Sequence, residues 1–325
     1  MRFALMIEAQ QGLSYDDQLA IVRRAEAAGF ESFFRSDHYT SFPGPAGHPT
    51  TDAWAVLAGL ARETSRISLG ALVSPVTFRH PGQFVKLVTT VDEMSGGRIE
   101  VGVGAGWNDE EHAEHGLPFP PINLRADMLE EQLQILHGMW TQPDGWSFEG
   151  KHVTVTAARL HPRPVAVPGR PRENDVVRPR IICGGDGTPR GLRIGARYAD
   201  EFNLTSSSPE RVAEKTAALD EACRAIGRDP ASLTRSAMVP ALVGRTAAEV
   251  DRRTNDLMEM LGTEETDTEW FAKRRHRWIY GEPEEARAMV HRYAEAGIER
   301  LMLQDFIPRD LDMVDLMAEA FIGTD

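Results

Sequence analysis

The sequence predicts a closed barrel of eight parallel strands wrapped in helices, an α/β (β/α)8 TIM barrel, with an insertion between strands four and five. Three observations carry this. Short apolar runs alternate with helical stretches eight times, and such alternation implies parallel strands joined by helical crossovers. The 325 residues, 42% of them hydrophobic, can fill one large barrel, so a single domain is expected over residues 1–325. Irregular glycine-rich turns follow several of the apolar runs, at the strand ends where barrels of this kind carry their function.

Residues 2–7 are near-continuously apolar, as a strand buried on both faces must be. Ser14 can cap the helix that follows and Gly29 can end it. Residues 31–34 make strand two, which leads into Arg35-Ser36-Asp37-His38 and then a loop rich in Gly and Pro. A helix over 52–63 precedes strand three at 67–73, and a helix over 83–93 precedes strand four at 98–103. Leu129, Leu133, Leu136 and Trp140 recur at helical spacing in a long helix over 124–140. Residues 146–179 break the rhythm with a hairpin pattern over 146–155 and a loop rich in Pro and Arg. This is the expected insertion, because alternation resumes at once. Strand five covers 180–183 and strand six 201–204. Ser208, Pro209 and Glu210 start a helix in the order cap, first-turn proline, acid. Strand seven covers 237–243, and Thr246 and Glu249 have capping-box spacing for the next helix. A helix over 282–297, strand eight at 300–304 and a helix over 311–322 close the chain.

A formal net charge of -13 speaks against nucleic-acid binding, which needs a basic face. No apolar run approaches the ~20 residues of a membrane span, and the first residues lack a signal-peptide core. Cys183 and Cys223 make neither a disulfide framework nor a zinc motif. A cytoplasmic protein with a small-molecule substrate, and neither nucleic acid nor membrane as partner, is the expectation.

The chemistry should sit on the loops after the strands. His38 is the acid–base candidate, since histidine exchanges a proton near neutral pH; the alternative is a buried histidine tying loops together. Gly102-Val103-Gly104-Ala105-Gly106 lacks G-x-G-x-x-G spacing, and Asp109, Glu110 and Glu111 stand where a pyrophosphate would lie. Gly184-Gly185-Asp186-Gly187-Thr188, ahead of a helix, is a better phosphate cradle, because bare backbone N–H groups at a helix N-terminus face an anion. A tight barrel turn without a ligand is the competing reading. His112 and His115 read as a solvated helix face with no third metal ligand, so no metal is expected. The basic run 273–277 reads as a solvated face, with an anionic tail or substrate as the alternative.

The stretches LGALVSPVTFRHPGQF (69–84) and SGGRIEVGVGAGWNDEE (95–111) resemble the signature of the luciferase-like monooxygenase superfamily. RPRIICGGDGTPRGLRIGARYADEFN (178–203) is a second point of likeness, and SFEGKH (147–152) fits the subgroup of oxidoreductases that use the deazaflavin coenzyme F420. The resemblance implies hydride transfer between F420 and a small organic substrate. An FMN-dependent monooxygenase fed by a separate flavin reductase is the runner-up, and a cofactor-binding barrel without turnover is the third reading. A homodimer is compatible with the likeness.

Residue by residue, the resemblance implies a non-prolyl cis peptide at Leu72–Val73 behind the cofactor ring, with Ser74 beside it. Asp37 is placed next to the ring and His38 as the acid–base group. Ala105 and Gly106 become backbone contacts to the cofactor, and Gly184, Gly185, Gly187 and Thr188 its phosphate contacts. Sugar-phosphate dehydrogenases of the subgroup carry a catalytic glutamate where this chain has Trp107. Their specificity is therefore not transferred, and Trp107 is expected to be an apolar or aromatic pocket wall, with packing under the insertion as the alternative.

Overall fold

The computed structural model describes residues 1–323; residues 324–325, the last two of the expected domain, lie outside the described residues. The chain begins β1 (Arg2–Ile7), α1 (Tyr15–Ala28), β2 (Ser32–Arg35), α2 (Ala53–Glu63), β3 (Ser68–Pro75), α3 (Pro81–Ser95) and β4 (Ile99–Gly104). Next come α4 (Asp109–Glu114), α5 (Ile122–Thr141), β5 (Trp146–Glu149), β6 (Thr154–Ala158), β7 (Arg172–Glu173), β8 (Val176–Val177) and β9 (Arg180–Gly185). It ends with α6 (Pro189–Tyr198), β10 (Glu201–Thr205), α7 (Pro209–Ala225), β11 (Thr234–Val243), α8 (Ala247–Leu261), α9 (Asp267–Arg274), β12 (Ile279–Gly281), α10 (Pro283–Glu295), β13 (Arg300–Asp305) and α11 (Leu311–Phe321).

Eight of the strands pair in parallel in the order β10, β9, β4, β3, β2, β1, β13, β11, and β10 pairs with β11 to close the barrel. β5–β6 and β7–β8 are small antiparallel hairpins between α5 and β9. β12 adds a ninth parallel strand on the far end of β11, from Ala241 to Val243. Neither β12 nor α9 was expected: a three-residue strand ending in glycine shows no period, and α9 is short and largely polar.

Local chemistry fixes the helix ends. Ser14 accepts from Asp17 N, and the Asp17 carboxylate accepts from Ser14 N at 2.9 Å, a complete capping box. Only half of the box forms at α8: Thr246 caps Glu249 N, while the Glu249 carboxylate takes Arg245 N at 2.8 Å.

Alternation along each strand divides the core in two. The larger apolar cluster lies between sheet and helices. A smaller one, Ala4, Met6, Phe34, Leu72, Ile182 and Met302, fills the barrel interior. Below it, at the strand N-termini, Ser32, Glu100, Glu201 and Arg300 form a buried polar layer from alternate strands. Above it, the C-terminal ends are not filled, and a cavity opens there.

Candidate active site

The cavity measures about 1210 Å³ and is walled by the end of β3 and by residues that follow β1, β2, β4, β9, β10 and β13. Its floor depends on a bulge. The β3–β4 register shifts between Ala71 and Ser74, the Leu72–Val73 peptide is cis, and the Val73 side chain swings over the neighbouring strands. A Cβ on Gly104 would stand 2.7 Å from Val73 Cγ2, and one on Gly184 would stand 2.7 Å from Val73 Cγ1. Glycine at both places is thus the condition for seating Val73 under the cavity.

His38 projects into this space at the end of β2. Its Nδ1 lies 2.9 Å from Glu111 Oε2, and no described residue bonds its Nε2. The carboxylate is itself fixed: its other oxygen accepts from the backbone N–H of Tyr39 and, at 3.1 Å, of Thr40. Burial alone would raise the Glu111 pKa, but the His38 bond and charge and the two backbone N–H groups bring it below the ordinary carboxylate value. Glu111 therefore holds Nδ1 as a donor and leaves Nε2 as the atom that faces a ligand. Phe42 and Trp107 pack edge-on to the imidazole, with centroids at 4.5 and 5.8 Å. Trp107 is 65% exposed, so it forms the rim of the cavity.

Opposite stands the turn after β9. Gly184, Gly185, Gly187 and Thr188 all line the cavity. Thr188 caps α6 through its hydroxyl, Pro189 opens the first turn, and Gly187 adopts a φ of +67°. Space at the position of a Gly185 Cβ is open, which leaves the backbone there accessible. Ala105 and Gly106 form a third side. Arg125, in the first turn of α5, pins that loop by donating to Ala105 O at 3.1 Å and Gly106 O at 3.4 Å.

Of the residues singled out from sequence, His38, Leu72, Val73, Ala105, Gly106, Gly184, Gly185, Gly187, Thr188 and Trp107 meet around this one cavity. Asp37 and Ser74, expected beside the ring, do not line the cavity. Asp37 is fully buried behind the wall, where it accepts from Ser74 Oγ at 2.7 Å and from Arg79 at 2.6 and 3.1 Å. Ser36 and His38 on either side of it line the cavity, while the Asp37 carboxylate is held away by Ser74 and Arg79.

Two surface readings also change. His112 is buried at 1% exposure, its Nε2 2.6 Å from Thr77 Oγ1, although His115 is exposed. In the basic run, Arg274 and Arg277 line the cavity, Lys273 and Arg274 both pair with Glu265, and Arg275 pairs with Glu285. In the sequence Glu111 reads only as one of three acids where a pyrophosphate would lie, not as a partner of His38, and Arg125 sits unnoticed in an ordinary helical pattern. Cys183 also lines the cavity, and burial pushes its thiol up to about 12, which keeps it protonated and unreactive.

The family model for luciferase-like monooxygenases matches residues 1–307. An F420-dependent glucose-6-phosphate dehydrogenase of Nakamurella multipartita is 32% identical over 279 residues, which is 83% of this chain and 69% of that protein. The pyrimidine monooxygenase RutA of Stutzerimonas stutzeri is 30% identical over 217 residues, 64% of this chain and 56% of that protein. Among solved structures, an F420-dependent secondary alcohol dehydrogenase in complex with an F420–acetone adduct superposes with a TM-score of 0.80 at 19% identity, covering 98% of this chain and 97% of the other. The monooxygenase RslO1 from Streptomyces bottropensis reaches 0.81 at 19% identity, covering 99% and 98%. At that identity the structures speak for the fold alone. The family match, over nearly the whole length, says more: this chain belongs to the luciferase-like monooxygenase family.

Proposed function

We propose that the chain is an oxidoreductase that transfers a hydride between the deazaflavin coenzyme F420 and a small organic substrate. The observation that carries it is the His38–Glu111 pair, set across a 1210 Å³ cavity from a glycine cradle at the start of α6. The residues suit a planar, phosphate-bearing cofactor. Val73 and the glycines around it leave a flat floor, and the open backbone at Gly185 suits an anion at a helix N-terminus. When bound, the deazaflavin supplies the redox chemistry. His38 Nε2 then holds or takes the proton that accompanies the hydride, while Glu111 fixes its tautomer. Phe42 and Trp107 pack edge to face beside His38 at the rim. The F420-dependent relatives support this cofactor before FMN. Residues 1–325 act here as one domain, and 146–179 as an insertion that borders the barrel without lining the cavity.

Titration of the protein with F420 and with FMN, followed by absorbance and fluorescence, tests the reading. F420 binding with a substrate-dependent change in its band is expected. FMN binding without F420 binding would shift the assignment to a flavin monooxygenase. Binding of either with no turnover on any substrate would leave a cofactor-holding barrel.

A further inference from the structure

Behind Glu8 and Phe306 lies a second chamber of about 250 Å³, which the reaction above does not use. Those two residues wall both spaces, so the chamber adjoins the main cavity. Its other walls come from the loop after β1, from α8 and from the loop after β13.

The charged groups around the chamber are already engaged. Asp310 accepts from Arg252 and Arg253, each at 2.9 Å, and Asp256 accepts from Arg252 at 3.0 Å. Arg309 donates to Asp17 at 2.9 Å. Glu8 accepts from Gln10 Nε2 at 2.8 Å and from Gln304 Nε2, but a carboxylate has further lone pairs to offer.

Gln11 is the exception. Both its Nε2 and its Oε1 are buried with no hydrogen-bond partner among the described residues. Gln304 Oε1 is also without a partner. Its orientation is fixed, because Glu8 only accepts and so draws the NH₂ end of Gln304 toward itself. Buried polar atoms are nearly always paired, and an unpaired one is destabilising. Gln304 faces the main cavity, so the chamber itself holds two such atoms, both on Gln11, and they point to a partner from outside the chain.

The partner's chemistry follows from what these atoms lack. Gln11 Oε1 needs a donor and Gln11 Nε2 an acceptor, and Glu8 can accept again. An anion would face the Glu8 carboxylate. An ammonium group offers Gln11 Nε2 no acceptor, and one hydroxyl has too few protons. A primary carboxamide or ureido group carries several N–H donors and a carbonyl, and can pair head to head with the Gln11 amide. We propose that the chamber is a subsite for a primary carboxamide or ureido group on a substrate whose reacting carbon lies in the main cavity. This rests on the main cavity being the oxidoreductase site, though not on which cofactor it takes.

Benzamide and methyl benzoate make a matched pair of probes, alike in size but only one of them a donor. Calorimetry of the native protein, without cofactor and again with F420, should show benzamide bound at least about tenfold more tightly. Gln11→Leu should abolish that preference, keep methyl benzoate binding, and raise the melting temperature by removing two unpaired atoms. Gln11→Glu, similar in shape but without the donor, should weaken benzamide binding too. Equal binding of the probes by the native protein overturns the proposal. So does a Gln11→Leu variant that melts lower and keeps the preference, which would mean ordered water alone fills the chamber. A benzamide preference in a protein that binds neither F420 nor FMN would instead overturn the reading of the main cavity.

Discussion

Glu111 and Asp305 are both buried carboxylates, and their surroundings push them in opposite directions. Donors surround Glu111, so it stays ionised and can orient His38. His38→Ala should therefore lower the single-turnover hydride-transfer rate by about 10²–10⁴-fold with cofactor affinity nearly unchanged, measured by stopped-flow at saturating cofactor. An unchanged rate would make His38 scaffolding. Asp305 has one backbone donor, Ile307 N–H, and its Oδ2 has no partner among the described residues. Burial pushes its pKa from 3.8 up to about 7, and the charge of Asp310 adds to this. A raised carboxyl pKa means that the folded state binds the proton more tightly than the unfolded one. Stability is then unpenalised below pH 3.8, falls as pH rises toward 7, and stays lower above it. Asp305→Asn keeps an acceptor for Ile307 N–H and removes the ionisation. It should stabilise the fold by up to about 4 kcal/mol at pH 8 and by little at pH 4. Denaturant titrations at the two pH values check this; a gain equal at both would refute the electrostatic cause.

At the scale of elements, β3, β4 and β9 form one packing unit under the cavity, with Val73 as the side chain that joins them. Gly184→Ala should cost about 1–3 kcal/mol through overpacking against Val73. In a Val73→Ala background the same change should cost far less. A double-mutant cycle by urea unfolding measures the coupling, and additivity of the two changes would show that the glycine is not kept for Val73. This unit also shows what could be read in advance. Most strand identities were legible because strands such as β1, β3 and β4 are largely apolar runs, and the cavity's location followed from strand ends alone. Which neighbour faces inward was not legible, because Asp37 and His38 lie in the irregular loop after β2, where no strand period applies. Glu111 was illegible for a different reason. Its partners, His38 Nδ1 and the N–H groups of Tyr39 and Thr40, lie about 70 residues earlier and meet it only once β2 and β4 are aligned in the barrel. The unpaired amide of Gln11 is likewise a property of packing, which no local pattern announces.

Across the whole molecule, the end of the barrel away from the cavity is closed by charge. Arg300 on β13 donates to Glu100 on β4 at 2.7 and 3.0 Å, to Glu201 on β10 at 3.0 Å, and to Ser32 on β2. One side chain thus ties strands from four sides of the ring. Burial alone would raise the Glu100 pKa, but the charge and hydrogen bonds of Arg300 pull it down to about 2. A depressed carboxylate pKa gives stability that is complete above the unfolded value of 4.5 and is lost as pH falls toward 2. Arg300→Leu strands two buried carboxylates, and should destabilise the fold by about 3–5 kcal/mol at pH 7. Acid should then act on the variant in the opposite sense. Protonating Glu100 relieves its repulsion with Glu201, so the gap between native and Arg300→Leu should narrow as pH drops from 7 to 3. Removing the acids as well, in Glu100→Gln/Glu201→Gln/Arg300→Leu, should recover much of the loss at pH 7, because no unpaired charge remains. Melting curves of the three proteins across this pH range separate electrostatic closure from simple packing. If Arg300→Leu costs the same at pH 3 as at pH 7, the layer acts through shape, and its charges do not hold the barrel shut.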